Sequence, residues 1–166
     1  MSAPRDHLEV VQAAILVARE TVRLVDEDGP VLDPRCAQAL RLLEGWIAGD
    51  VPIERLKQAR VPAFGAVEAY HTQARRCAEA VRARASAAVA VKFATRAALC
   101  AAGVGGQVSP RTLRDVCEGA RSFAAHALVA LGRTQEEAWE QTGTIWSAAL
   151  GPRSIPPPPP AGATTA

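Results

Sequence analysis

The stretch "RCAEAVRARASAAVAVKFATRAALCAAG", residues 76 to 103, decides the fold. It is mostly alanine studded with arginine, with almost no bulky apolar side chain. Alanine is the best helix former because it loses no side-chain entropy on folding. Each buried alanine contributes far less than the roughly 1.5–3 kcal/mol of a leucine or phenylalanine. What it permits is proximity, with helix axes at the short end of the roughly 8–10 Å range and good dispersion contact. Two contact sides are expected. Ala87, Val91, Ala94, Ala98 and Ala101 form one, and Val89, Phe93, Ala97 and Cys100 the other. A helix of this kind belongs in the centre of a bundle, touched from several directions. It is not a membrane span: Lys92 and Arg96 near its middle would each cost about 2.5–3.5 kcal/mol there.

The rest of the chain agrees with a helical reading. Its 166 residues suit one domain with a real core. Apolar residues make up 49% and charged residues 22%, an ordinary globular balance, while roughly a fifth is alanine and only 4% aromatic. No alternating strand pattern occurs. The net charge of +2 is mildly basic and disfavours nucleic acid as the partner. Cys36, Cys77, Cys100 and Cys117 form no CxxC pair, so zinc and redox motifs are absent and small buried thiols in a reducing cytoplasm are expected. Residues 1 to 10, "MSAPRDHLEV", carry no apolar run behind a basic start, so a signal peptide is not expected.

A compact bundle of about six to seven helices is predicted over residues 1–151. Helix one buries Leu8, Val11, Ile15, Ala18, Val22 and Val25, widened by Val10, Ala14, Val17 and Leu24, and ends at "DEDGP". Asp33-Pro34 opens helix two as N-cap and first helical residue; Cys36, Leu40, Leu43 and Ile47 form its buried face, and Gly49 stops it. A short helix after Pro52 buries Ile53, Leu56 and Ala59. Val61-Pro62 marks a boundary, since a residue before proline avoids helical angles. Two helices at about 63–83 and 86–102 follow, joined near Arg84-Ala85-Ser86, with a single bent helix as the competing reading. "GVGGQVSP" is a loop, and Ser109-Pro110 caps a helix bearing Leu113, Val116, Ala120, Phe123, Ala127 and Leu131. Thr134 to Glu137 is a capping box opening the last helix, with Ala138, Trp139, Ile145, Trp146 and Leu150. Residues 152–166, rich in proline and small residues, form an extended or disordered tail.

No constellation for bond chemistry stands out. His7, His71 and His126 pair at no ligand spacing, and "GVGGQ" follows a helix rather than a strand and lacks the lysine of a phosphate loop. No catalytic residue, cofactor site or metal site is therefore expected, and the chain is not read as an enzyme. The cations are more informative. Arg75, Arg82 and Arg96 fall at multiples of seven, with Arg76, Arg84 and Lys92 among them, so a continuous helix places them near one face. That face is either solvated or an anion-facing strip. Trp46, Trp139 and Trp146 are expected to anchor the core. Tryptophan is also favoured at binding hot spots, and Trp46, beside the buried face of helix two, joins Arg75, Arg82 and Arg96 as a candidate partner contact.

"DPRCAQALRLLEGWIAGD" at 33–50, "RLKQARVPAFGAVEAY" at 55–70 and the alanine helix together resemble immunity proteins found beside bacterial polymorphic toxins. The likeness covers roughly residues 8–103. It consists of an N-terminal helix, an acidic linker, a proline-started helix ending in Trp46-x-x-Gly49-Asp50, and long alanine-rich helices. Members of that family carry histidines within the alanine helices, whereas Phe64 and Ser86 stand here, so no histidine role is carried over. The resemblance implies a stoichiometric inhibitor whose exposed face covers a toxin, and the mild positive charge suits an acidic or neutral toxin better than a basic nuclease. A self-assembling or adaptor module is the other partner class in view.

Overall fold

The computed structural model describes residues 5–28, 31–74 and 78–150. Among these residues seven α-helices follow one another: α1 (Arg5–Asp28), α2 (Pro34–Ala48), the single-turn α3 (Ile53–Leu56), α4 (Arg60–Ala74), α5 (Ala78–Ala101), α6 (Pro110–Ala130) and α7 (Gln135–Leu150), with a 3₁₀ turn at Lys57–Ala59 before α4. No strand occurs among the described residues. Arg75, Arg76 and Cys77 lie outside them, as does the proline-rich segment 152–166.

The alanine helix is the centre of the bundle. α5 packs against α6, α4, α1 and α2, and Ala87, Ala88, Ala90, Val91, Ala94, Ala97 and Ala98 are wholly buried along it. The facing helices supply alanines of their own, with Ala14 and Ala18 on α1 and Ala120, Ala124 and Ala127 on α6, while bulk comes from Val11, Val17, Val25, Leu43, Leu56 and Leu128. The α1 seam is buried from Val11 to Val25 as its spacing predicts, with Leu8 half-buried at its start, and that helix touches α2, α5, α6 and α7.

Chain termini of the helices are settled locally. Asp33 caps α2 by accepting the Arg35 backbone N–H at 3.0 Å, and Gly49 ends it in the left-handed region at φ 86°, open to a residue without Cβ. The Ser109 hydroxyl accepts the Thr112 N–H at 3.1 Å at the start of α6. Thr134 and Glu137 exchange hydrogen bonds, Thr134 N–H to the Glu137 carboxylate at 2.8 Å and Glu137 N–H to the Thr134 hydroxyl at 3.2 Å. A longer link ties α2 to α4: the Asp33 N–H donates to the Tyr70 hydroxyl at 2.7 Å. Three threonines are buried, and each turns its hydroxyl onto its own helix. Thr21 donates to the Val17 carbonyl, Thr95 to Val91 and Thr142 to Ala138. Burial pushes the Cys36 and Cys117 thiols up to about 12, which keeps them as neutral apolar filling.

Three expectations need correction. α5 runs without interruption through Arg84-Ala85-Ser86, because nothing in that tripeptide breaks a helix. α4 begins at Arg60, ahead of Pro62. The preceding 3₁₀ turn already holds right-handed angles, and a proline in the first turn lacks only an N–H that has no intrahelical partner there. Ile53 is 40% exposed, whereas Leu56 and Ala59 are fully buried as expected.

Ala94→Leu or Ala98→Leu inserts three carbons at a wholly buried position of the central helix, and each should cost about 1–3 kcal/mol in a urea melt. Acid should act through Asp33. Its hydrogen bond from Arg35 lowers its pKa below the ordinary 3.8, so its contribution to stability is complete above that value and is lost as pH falls through the lowered one. Asp33→Asn should therefore be less stable than the parent near neutrality, with the gap between their urea midpoints narrowing below pH 3.8.

Candidate interaction surface

α5 is not buried all round. Arg82 and Arg96 are exposed along it, with Ala85, Ser86, Val89, Lys92 and Phe93 half-buried between them. Residues seven apart on a helix of 3.6 residues per turn stay nearly in register, so the two arginines lie on one stripe about 21 Å apart.

Aromatic rings border this stripe on both sides. Towards α4, the Lys92 ammonium stands 4.6 Å from the Phe64 ring centroid and the Arg60 guanidinium 5.4 Å from it. Arg84 lies 6.0 Å from the Tyr70 ring. Towards α6, Phe93 stacks on Phe123 at 5.4 Å, and His126 meets Phe123 edge-on at 5.6 Å. The chain has three phenylalanines, and all three sit here half-buried. Gly119 makes the α5–α6 side possible: a Cβ there would lie 2.5 Å from the Phe93 ring.

Charge is distributed unevenly. Among the described residues the ion pairs are Arg19–Glu20, Arg19–Glu44, Arg23–Glu20, Arg23–Glu27 and Arg35–Asp33, all on α1, α2 and the residue capping α2. Arg82 and Arg96 take part in none of them. Glu68, one turn along α4 from Phe64, is exposed and also takes part in none. Four cations, Arg60, Arg82, Lys92 and Arg96, thus stand on or beside a partly apolar stripe with no carboxylate partner among the described residues.

Of the residues singled out from the sequence, Arg82 and Arg96 meet on this stripe, and Arg75 lies outside the described residues. Trp46 is half-buried against the core from α2, with no ring or hydrogen-bond contact to either arginine among the described residues. Trp139 does not anchor the core: it is 49% exposed, and its ring carries the Arg121 guanidinium at 3.9 Å. The phenylalanine border was missed in the sequence, although a signal for it exists. Glycine inside a helix costs about 1 kcal/mol against alanine, so Gly119 in α6 marks a place where something large must pass close by.

The other features offer less. His71 and His126 are exposed, and no group of three metal-ligating side chains occurs among the described residues. An open groove of about 470 Å³ between α1 and α7 is lined by Gln12, Leu16, Arg19, Glu20 and Ile145 among others. Its two charges pair with each other at 3.3 Å, and the hydrogen bond from Arg23 holds Glu20 below the ordinary carboxylate range. What the α5 stripe provides is positive charge over apolar rings, which suits recognition of an anionic surface.

Gly119→Ala should push the Phe93 ring off α6, lowering stability by about 1–3 kcal/mol and shifting the His126 and Phe123 ring protons in NMR spectra. Phe93→Leu in the same chain should recover part of the loss.

The chain matches no family model, no curated protein and no solved structure.

Proposed function

We propose that this chain is a non-catalytic binding bundle that docks an acidic protein partner through the α5 stripe. Arg82 and Arg96 supply charge contacts, and Phe64, Phe93 and Phe123 supply apolar area. The observation that carries the reading is the imbalance of charge: among the described residues the ion pairs gather on α1 and α2, and Arg60, Arg82, Lys92 and Arg96 take part in none of them. Because the contact residues stand on formed helices, docking need not order backbone, and the entropy lost falls on the exposed arginine side chains. The partner class that the sequence resemblance suggests is a toxin, held by one-to-one occlusion in the manner of an immunity protein.

The test is affinity purification from the native host, comparing the tagged parent chain with Arg82→Glu/Arg96→Glu. An acidic protein bound by the parent should be lost from the variant. Its affinity should fall about tenfold or more on charge reversal and weaken with added salt. Co-expression with that protein should rescue growth if it is a toxin. Equal capture by parent and variant, with affinity indifferent to salt, would overturn the proposal, as would recovery of nucleic acid alone.

A further inference from the structure

The junction of α6 and α7 holds a guanidinium that the fold positions and leaves short of partners. Arg121 projects from α6 and lies over the Trp139 indole of α7, 3.9 Å from the ring centroid. Its Nη2 donates to the Trp139 carbonyl at 3.3 Å, and its Nε is enclosed with no hydrogen-bond partner. Gly143, one turn beyond Trp139, makes room for this pose: a Cβ there would stand 2.9 Å from Nη2. Among the described residues no carboxylate forms an ion pair with Arg121. Burial lowers its pKa, and Glu118 opposes that only through space. A guanidinium has five N–H donors, and one long bond accounts for a single one of them. The enclosed Nε is shut off from both water and protein, so the charge is incompletely solvated, and a counter-charge at the open end of the guanidinium offsets that through space.

The geometry also limits how that counter-charge approaches. With Nε enclosed, the side-on route through Nε and Nη2 is closed. The outer Nη1/Nη2 edge remains, from which a carboxylate can take two parallel hydrogen bonds. Arg121 covers part of the indole, and Trp139, 49% exposed, keeps apolar surface beside the charged fork. Arginine and tryptophan are the residue types that most often dominate binding energy at interfaces.

The geometry points to a second docking point, in which Arg121, held by Trp139 and Gly143, receives an aspartate or glutamate carboxylate of the partner protein end-on, with an apolar neighbour of that residue laid on the exposed indole. This rests on the reading that the chain docks an acidic protein. It adds a contact on α6 and α7, apart from the stripe of α5.

The peptide Ac-Glu-Phe-Glu-NH2, titrated into the full chain under NMR observation, tests it. The Trp139 indole N–H and the Arg121 guanidinium N–H signals should shift saturably, and Ac-Gln-Phe-Gln-NH2 should leave them in place. Arg121→Gln should weaken the response about tenfold or more. Gly143→Ala keeps the charge but displaces the guanidinium, and should weaken the response as well, with circular dichroism confirming that both variants are folded. Absence of a saturable shift in the parent chain, an equal response to the glutamine peptide, or an undiminished response in folded Arg121→Gln would overturn the inference. A tighter response to inorganic phosphate would do so too, in favour of a phosphoryl ligand. Peptide binding at Arg121 combined with partner capture indifferent to Arg82 and Arg96 would sink the stripe while leaving this site standing. Loss of capture without peptide binding would do the reverse.

Discussion

Methyl-to-methyl contact along α5 is the constraint on which the other arrangements rest. With Ala87, Ala90, Ala94, Ala97 and Ala98 wholly buried, the neighbouring helices come close, and dispersion between backbones replaces the interdigitation of large side chains. Alanine cannot reach across a gap, so every mismatch must be absorbed elsewhere. Leucines and valines of α1, α2 and α6 fill the spaces between helices, and glycines inside helices yield where a large side chain has to cross.

The two candidate contact regions follow from that economy. A core made largely of alanine has little room for wide rings, so aromatic side chains are displaced towards its margin. Phe64, Phe93 and Phe123 end half-buried beside the exposed edge of α5, and Trp139 ends on the surface of α7. Arginines then lie against those rings, since a guanidinium is weakly hydrated and stacks well on an aromatic face. Cations and most of the rings thus share the rim of the bundle, and the one ring the core takes in, Tyr70, bonds its hydroxyl to the Asp33 N–H.

Much of the fold was legible in the sequence because its signals are local. The Asp33-Pro34 start, the Gly49 stop, the Ser109-Pro110 cap and the Thr134–Glu137 box each need only neighbouring residues, and each is present. The three-four spacing on α1 needs only one helix. Two errors were local, a join placed at Arg84-Ala85-Ser86 where nothing breaks a helix and a boundary placed at Pro62, which the first turn of α4 tolerates. The others arose where packing decides: Ile53 is 40% exposed despite its apolar character, and Trp139 is 49% exposed despite its spacing. The candidate site was half legible. Arg82 and Arg96 announce themselves by their spacing, whereas the rings beside them come from three helices. Arg121 is one of nineteen basic residues, made distinctive only by Trp139 and Gly143 on another element.

The buried threonines have a consequence of their own. Because Thr21, Thr95 and Thr142 each bond within their own helix, none of these hydroxyls spans from one helix to another to lock their mutual registration. At those three positions alignment depends on shape, and the polar ties between helices lie elsewhere, in the Asp33–Tyr70 bond, the Arg19–Glu44 pair and the Arg121–Trp139 bond. A stretch of interior keyed by steric fit can shift without stranding a polar group, a freedom that a cross-linked polar interior would forbid.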